Sequence, residues 1–184
     1  MSRAARTVWR AWLCETAMET IIEAASRMHP RETGGVLVGV LVGTRPWVTN
    51  AAEVETGNSS GSYYELPAEA RERVVSRLRR EDGRLGYLGD WHSHPADLEP
   101  SHTDLESVAR VARDPEAGSE RPLLLLARRV DGQYRLDARQ ASGVGMRPLR
   151  LIATGPLPPL QDSGKRLGRS FVLTAHRRWR RGAG

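Results

Sequence analysis

The sequence predicts an α/β (α+β) domain, and three observations carry that reading. Short Val- and Leu-rich runs bounded by glycine alternate with stretches whose apolar residues recur every three to four positions. An Asp131-Gly132 pair between two strand-like runs has the chemistry of a tight hairpin turn. There is no internal repeat and no run of about 18 or more apolar residues that would suit a membrane. At 184 residues the chain is long enough for one well-packed domain and an extension.

In chain order, "CETAMETIIEAASRMHPRETGG" sets Ala17, Ile21, Ala24, Ala25 and Met28 at helical spacing, with the region of Pro30 and Gly34 ending the helix. "GGVLVGVLVG" then reads as a strand buried on both faces, and "WVTNAAEVET" as its partner. "GNSSGSYYELP" has loop composition. "AEARERVVSRLRRE" is an amphipathic helix with Ala70, Val74 and Leu78 on one side. "RLGYLGDWHSHP" reads as a strand and "SHTDLESVARVARD" as a helix, while "RPLLLLARR" and "QYRLDARQ" form the hairpin around Asp131-Gly132. "GMRPLRLI" supplies a final short strand.

Composition divides the chain into a domain over residues 1–153 and a proline-rich linker with a basic tail over 154–184. The net charge of +6 does not imply a nucleic-acid partner. Seven basic residues and no acidic one lie between Lys165 and the end, leaving 21 of the 28 basic residues against all 22 acidic ones in the body. The body is close to neutral, so the excess belongs to an appendage. The opening "MSRAARTVWRAW" lacks a secretory apolar block, and the chain reads as a cytoplasmic protein with no membrane partner. Cys14 is the sole cysteine, so a metal site here uses histidine and carboxylate.

The chemistry concentrates in "GDWHSHPADLEPSHTD". Side chains at i and i+2 of a strand share one face, so His92 and His94 can converge on a metal, and two neutral imidazoles favour zinc. Pro95 stops the strand. Ser101 three residues before Asp104 has helix N-cap spacing, which holds Asp104 near the strand end as a candidate third ligand. Asp97 and Glu99 on the same loop compete for that role. His29, His102 and His176 read as surface residues or supporting ones, and Asp90 as an acceptor that holds a ligand from behind. Three protein ligands leave one tetrahedral position open, the form of a catalytic zinc. The proton acceptor such a site needs is best supplied by Glu32, just before a Gly-Gly and a buried strand, although spacing alone does not select it among the acids.

The set of Glu32 before "TGGVLVG", then "WHSHP", then "PSHTD" resembles the signature of the JAMM (MPN-plus) zinc metallopeptidases over roughly residues 14–152. That resemblance implies His92, His94 and Asp104 as zinc ligands, one zinc per chain, Glu32 as general base and acid, and Ser101 as a donor to the oxyanion. It implies a JAB/MPN fold, a curved mixed sheet flanked by helices and close to the cytidine-deaminase-like architecture. From His94 to Asp104 is ten positions, one fewer than the family pattern usually has. "RETGGVLVG" with "GDWHSHP" is similar to bacterial members encoded beside E1-like and E2-like proteins, some in anti-phage operons. The expected function is therefore an isopeptidase that cuts after the terminal glycine of a ubiquitin-like protein or its conjugate. The alternatives are a peptidase trimming a sulfur-carrier protein and a zinc-containing module that docks a ubiquitin-like protein without cleaving it. DNA-repair relatives share His-x-His-Pro, but the neutral body argues against that reading.

Overall fold

The computed structural model describes residues 9–55, 66–114, 118–142 and 145–158. The loop read at 57–67 lies mostly outside them, as does the basic tail beyond Pro158. Described elements run β1 (Arg10–Cys14), α1 (Glu15–Met28), β2 (Gly34–Val42), β3 (Arg45–Glu53), α2 (Ala68–Glu81), β4 (Gly86–His94), α3 (His102–Arg113), β5 (Leu123–Val130), β6 (Gln133–Ser142) and β7 (Gly145–Thr154). The interleaved helices and strands of the sequence reading are therefore present. β1 is an addition to it, because five residues following an Arg-rich start give too short an alternation to read.

That extra strand changes the architecture. The sheet order is β1-β3-β2-β4-β5-β6-β7, and β1 also pairs in parallel with β7, from Arg10↔Arg150 to Cys14↔Thr154. The curved mixed sheet thus closes into a barrel. Helix α1 packs on its inner face, where Ala17, Ile21, Ala24 and Ala25 share a core with Leu37, Val48, Leu88, Trp91, Leu125 and Leu149. α2 covers part of the outer face, with Val75 and Leu78 against Val36, Val38 and Tyr87. α3 covers another part, with Val108 against Leu124 and Ala141. Leu123 and Leu125 face inward while Leu124 faces α3, which explains the unbroken leucine run of β5.

Burial on both faces holds for β2 only as far as Gly39. Beyond it the hairpin is open to solvent, with Leu41 and Val42 61% and 47% exposed. On α2 the buried residues are Ala70, Val75 and Leu78, with Val74 only partly buried. Asp131 and Gly132 have φ of 50° and 79°, the two positive values that a two-residue turn matching strand twist requires. Gly155–Pro158 continue past β7. There Leu157 packs against the outer core under α2, and the Pro158 carbonyl accepts a bond from Arg84 Nη1 at 3.0 Å.

β4 carries the feature that orients the site. Leu37 pairs with Gly89 and Val38 with Tyr87, so Leu88 is an extra residue on β4. A Cβ on Gly89 would lie 2.1 Å from the Leu123 carbonyl oxygen, so only glycine lets β5 approach this closely. The bulge resets the alternation: Leu88 and Trp91 both point into the barrel, and Asp90, His92 and His94 point outward toward α3.

Candidate metal centre

β4 ends at His94, and a short loop leads to α3, whose first turn returns over the strand end. Ser101 is the N-cap of that helix: its Oγ accepts from Asp104 N at 3.2 Å, and Asp104 Oδ2 accepts from Ser101 N at 2.6 Å. This reciprocal pair satisfies two helix-end donors and fixes the Asp104 carboxylate. The Ser101 hydroxyl accepts in the cap through its oxygen, and its side chain also helps to hold the Asp104 carboxyl low.

The carboxylate faces both histidines. His92 Nε2 stands 3.3 Å from Asp104 Oδ1, and His94 Nε2 stands 3.5 Å from Asp104 Oδ2. The ligand atoms of the three residues all lie within 4.8 Å of one another. Two ligands each about 2.0–2.1 Å from a tetrahedral zinc lie about 3.3–3.4 Å apart, so each histidine already stands near the right distance from one oxygen of the carboxylate. Both histidines are buried, at 5% and 6% exposed. His94 Nδ1–H donates to the Leu98 carbonyl at 3.1 Å, which assigns Nε2 as the metal-facing nitrogen.

The electrostatics agree with a site built to hold a cation. Burial alone would raise the Asp104 carboxyl, but the two imidazoles facing it outweigh that and hold the group far below the usual carboxylate range. Burial likewise disfavours charge on His94, yet its bonds to Asp104 and to the Leu98 carbonyl outweigh that and raise its pKa. Asp90 sits behind His92. Burial pushes its carboxyl up to about 6, against the lowering effects of the Tyr87 hydroxyl, Arg71 and His92. Tyr87 donates to Asp90 Oδ1 at 2.9 Å.

Glu32 reaches the same place from the other side. Gly34 pairs with His92, and extending this register sets Thr33 opposite Ser93 and Glu32 opposite His94. Two bonds hold that extension: Ser93 N to the Thr33 carbonyl at 2.7 Å, and Thr33 N to Ser93 Oγ at 3.0 Å. Burial raises the Glu32 carboxyl more than the nearby His94 and His92 lower it, and the Asp104 charge raises it further.

The structure therefore gathers Glu32, His92, His94, Ser101 and Asp104 at one strand end. Asp97 and Glu99, the competing loop acids, turn away to Arg128, and Glu99 also bonds Arg139. His29 lies near Tyr134 and His102 beside Glu106, while His176 is outside the described residues. Sequence reasoning did not assign roles to Thr33 and Ser93. A small polar residue between two outward histidines must point inward, and Ser93 is fully buried, so that position offered a usable signal. The Leu98 carbonyl left no trace in the sequence, because backbone groups carry none.

A barrel wrapped around a helix, with a buried His-x-His strand facing a capped aspartate, defines a JAB-type domain with a candidate metalloprotease centre. Comparison with known proteins agrees. The chain belongs to the Prok-JAB family, prokaryotic homologs of the JAB domain, with residues 15–140 matched, and so to the JAMM class. It is 33% identical over 124 residues to a Sinorhizobium fredii protein named "Probable metalloprotease y4qB", covering 62% of this chain and 73% of that one. A solution structure from Desulfitobacterium hafniense has the same fold, with a TM-score of 0.63, 22% identity, and 80% and 94% of the two chains covered. A JAB1/MPN domain protein from Archaeoglobus fulgidus aligns with a TM-score of 0.44 and 16% identity over 77% of this chain and 96% of that one.

Proposed function

We propose that this protein is a zinc-dependent isopeptidase or peptidase that hydrolyses the amide bond after the C-terminal glycine of a ubiquitin-like protein. The observation that carries the proposal is the convergence of His92 and His94 Nε2 on the Asp104 carboxylate, at 3.3 and 3.5 Å, with the Glu32 carboxyl near enough to feel all three. Membership of a metalloprotease-like family supports it.

His92, His94 and Asp104 would hold the metal. Zinc bound there would supply a Lewis acid for the scissile carbonyl and make water acidic near neutral pH. Glu32 takes the proton from the attacking water and delivers it to the leaving amine; the raised carboxyl lets it keep that proton between the two transfers. Ser101, its oxygen already engaged by Asp104 N, donates its hydroxyl proton to the oxyanion that develops on the carbonyl. The His94 Nδ1–H bond to Leu98 keeps that ring in the tautomer the metal needs. Terminal glycines suit the site because backbone without side chains can reach a metal ringed by buried groups. Tagging enzymes of the E1 and E2 type in the cytoplasm are the partners that would make the substrate.

The test is cleavage of a ubiquitin-like protein conjugated through its terminal glycine, against a short peptide with the same last residues. The folded conjugate should be cut far faster, because a Gly-Gly tail offers few contacts and binding energy must come from the folded body. Chelator should stop the reaction and zinc restore it. Equal rates on peptide and conjugate would replace the proposal with a general trimming peptidase. Release of one amino acid from a sulfur-carrier adduct would identify the trimming alternative. Tight binding with zinc present and no cleavage would leave only a docking module.

A further inference from the structure

The loop from Pro95 to Pro100 must place one backbone carbonyl correctly, because Leu98 O is the acceptor that holds the His94 ring. It is a tight loop: Leu98 N donates to Ala96 O at 2.9 Å, a turn of only three residues. Burial of its own apolar residue does not anchor it, since the Leu98 side chain is 58% exposed. What anchors it is the next residue. Glu99 Oε1 accepts from Arg128 Nη1 and Glu99 Oε2 accepts from Arg139 Nη2, so two guanidinium groups from β5 and β6 grip both oxygens of one carboxylate.

Isolated surface ion pairs hold little, and Glu99 is itself largely exposed. This arrangement is different in kind. Each arginine is mostly covered, and each meets a second acid: Arg128 lies 3.5 Å from Asp97, and Arg139 bonds Asp137 at 3.2 Å. Arg128 also stands directly beside His94 across the β4–β5 ladder, so the strand that fixes the histidine fixes the clamp as well. We infer that Glu99, gripped by Arg128 and Arg139, is a positioning residue for the metal centre: it sets the Leu98 carbonyl that orients His94 Nε2 toward the metal.

The inference rests on the zinc reading of the site, and the experiment separates the two. Zinc affinity of the full chain is measured by competition with a chelator of known affinity, alongside thermal unfolding of the metal-free protein. Glu99→Gln and Arg139→Met should each weaken zinc binding about 10-fold, the lower end of what residues behind metal ligands supply. The double variant should lose no more than either single one, because both changes open the same clamp. Metal-free unfolding of Glu99→Gln should be unchanged, and cobalt bound in place of zinc should show an altered visible spectrum. Should Arg139→Met fail to fold, Glu99→Gln carries the test alone. Zinc affinity within two-fold of the parent in Glu99→Gln overturns the inference, as does a loss that only follows a lowered melting temperature. A parent protein that binds no zinc overturns the site reading first, and this inference with it.

Discussion

Replacing Ser93 with alanine tests the link between β2 and β4 that sets Glu32 in place. The side chain is fully buried, and its Oγ accepts the Thr33 N–H at 3.0 Å. Alanine removes the acceptor and leaves a buried amide unpaired, which costs about 1–3 kcal/mol. Unfolding temperature changes by about 2–4 °C per kcal/mol in a chain of this size, so a central loss of about 2 kcal/mol lowers it by about 4–8 °C. The second bond of the pair, Ser93 N to Thr33 O, is a backbone bond and survives. The corner should therefore loosen without opening: zinc content stays at the parent level while the hydrolysis rate falls, because Glu32 loses its fixed position and the three ligands do not. Thermal unfolding of the metal-free chain, metal analysis and a rate on one conjugate read all three quantities. A melting shift below about 1 °C with an unchanged rate would refute the claim that Ser93 positions Glu32.

Other perturbations separate the roles within the site. His92→Ala and Asp104→Ala should each lose most bound zinc by metal analysis, since three protein ligands leave none to spare; full occupancy in the His92→Ala, His94→Ala pair would exclude this site. Glu32→Gln should keep fold and zinc but lose about 10²- to 10⁴-fold in rate, and activity within a few-fold of the parent would mean another acid moves the proton. In the metal-free protein the raised pKa of His94 contributes stability that is full below the ordinary 6.5 and is lost as pH rises through the folded value. Asp104, lowered from 3.8, contributes stability present above that value and lost as pH falls below it. Metal-free melting temperature should therefore be highest between those limits. Zinc loading should run the other way across His94, falling on acidification as protons compete for Nε2, and a pH-independent affinity between 5 and 8 would contradict that.

The residues of the site were more legible in the sequence than the sheet that holds them. His92 and His94 announced themselves by strand alternation, and Ser101 with Asp104 by cap spacing, because both signals are local. Glu32 was not local: its partner across the ladder is some sixty positions away, and only resemblance chose it among the acids. β1 escaped notice because its stability comes from two flanking strands and little from its own pattern, which spans five residues. The β4 bulge was equally silent. Asp90, His92 and His94 shared a face in either reading, but only the extra residue at Leu88 explains why Leu88 and Trp91 both reach the inner core. For the same reason the loop acids stayed ambiguous until Arg128 and Arg139, strands away in sequence, were seen to take them.

Barrel closure also has a meaning in time. β1 leaves the ribosome long before β7, its partner across the seam, with Arg10 facing Arg150. At about 5–20 residues per second the early strand waits roughly 7 to 28 seconds for that partner. Until Thr154 has emerged, β1 and β6 each present a row of unpaired backbone groups, the kind of edge that recruits other chains. A message or fragment truncated before residue 145 would make those edges permanent, so such products should precipitate or be degraded even though every residue of the metal centre is already present.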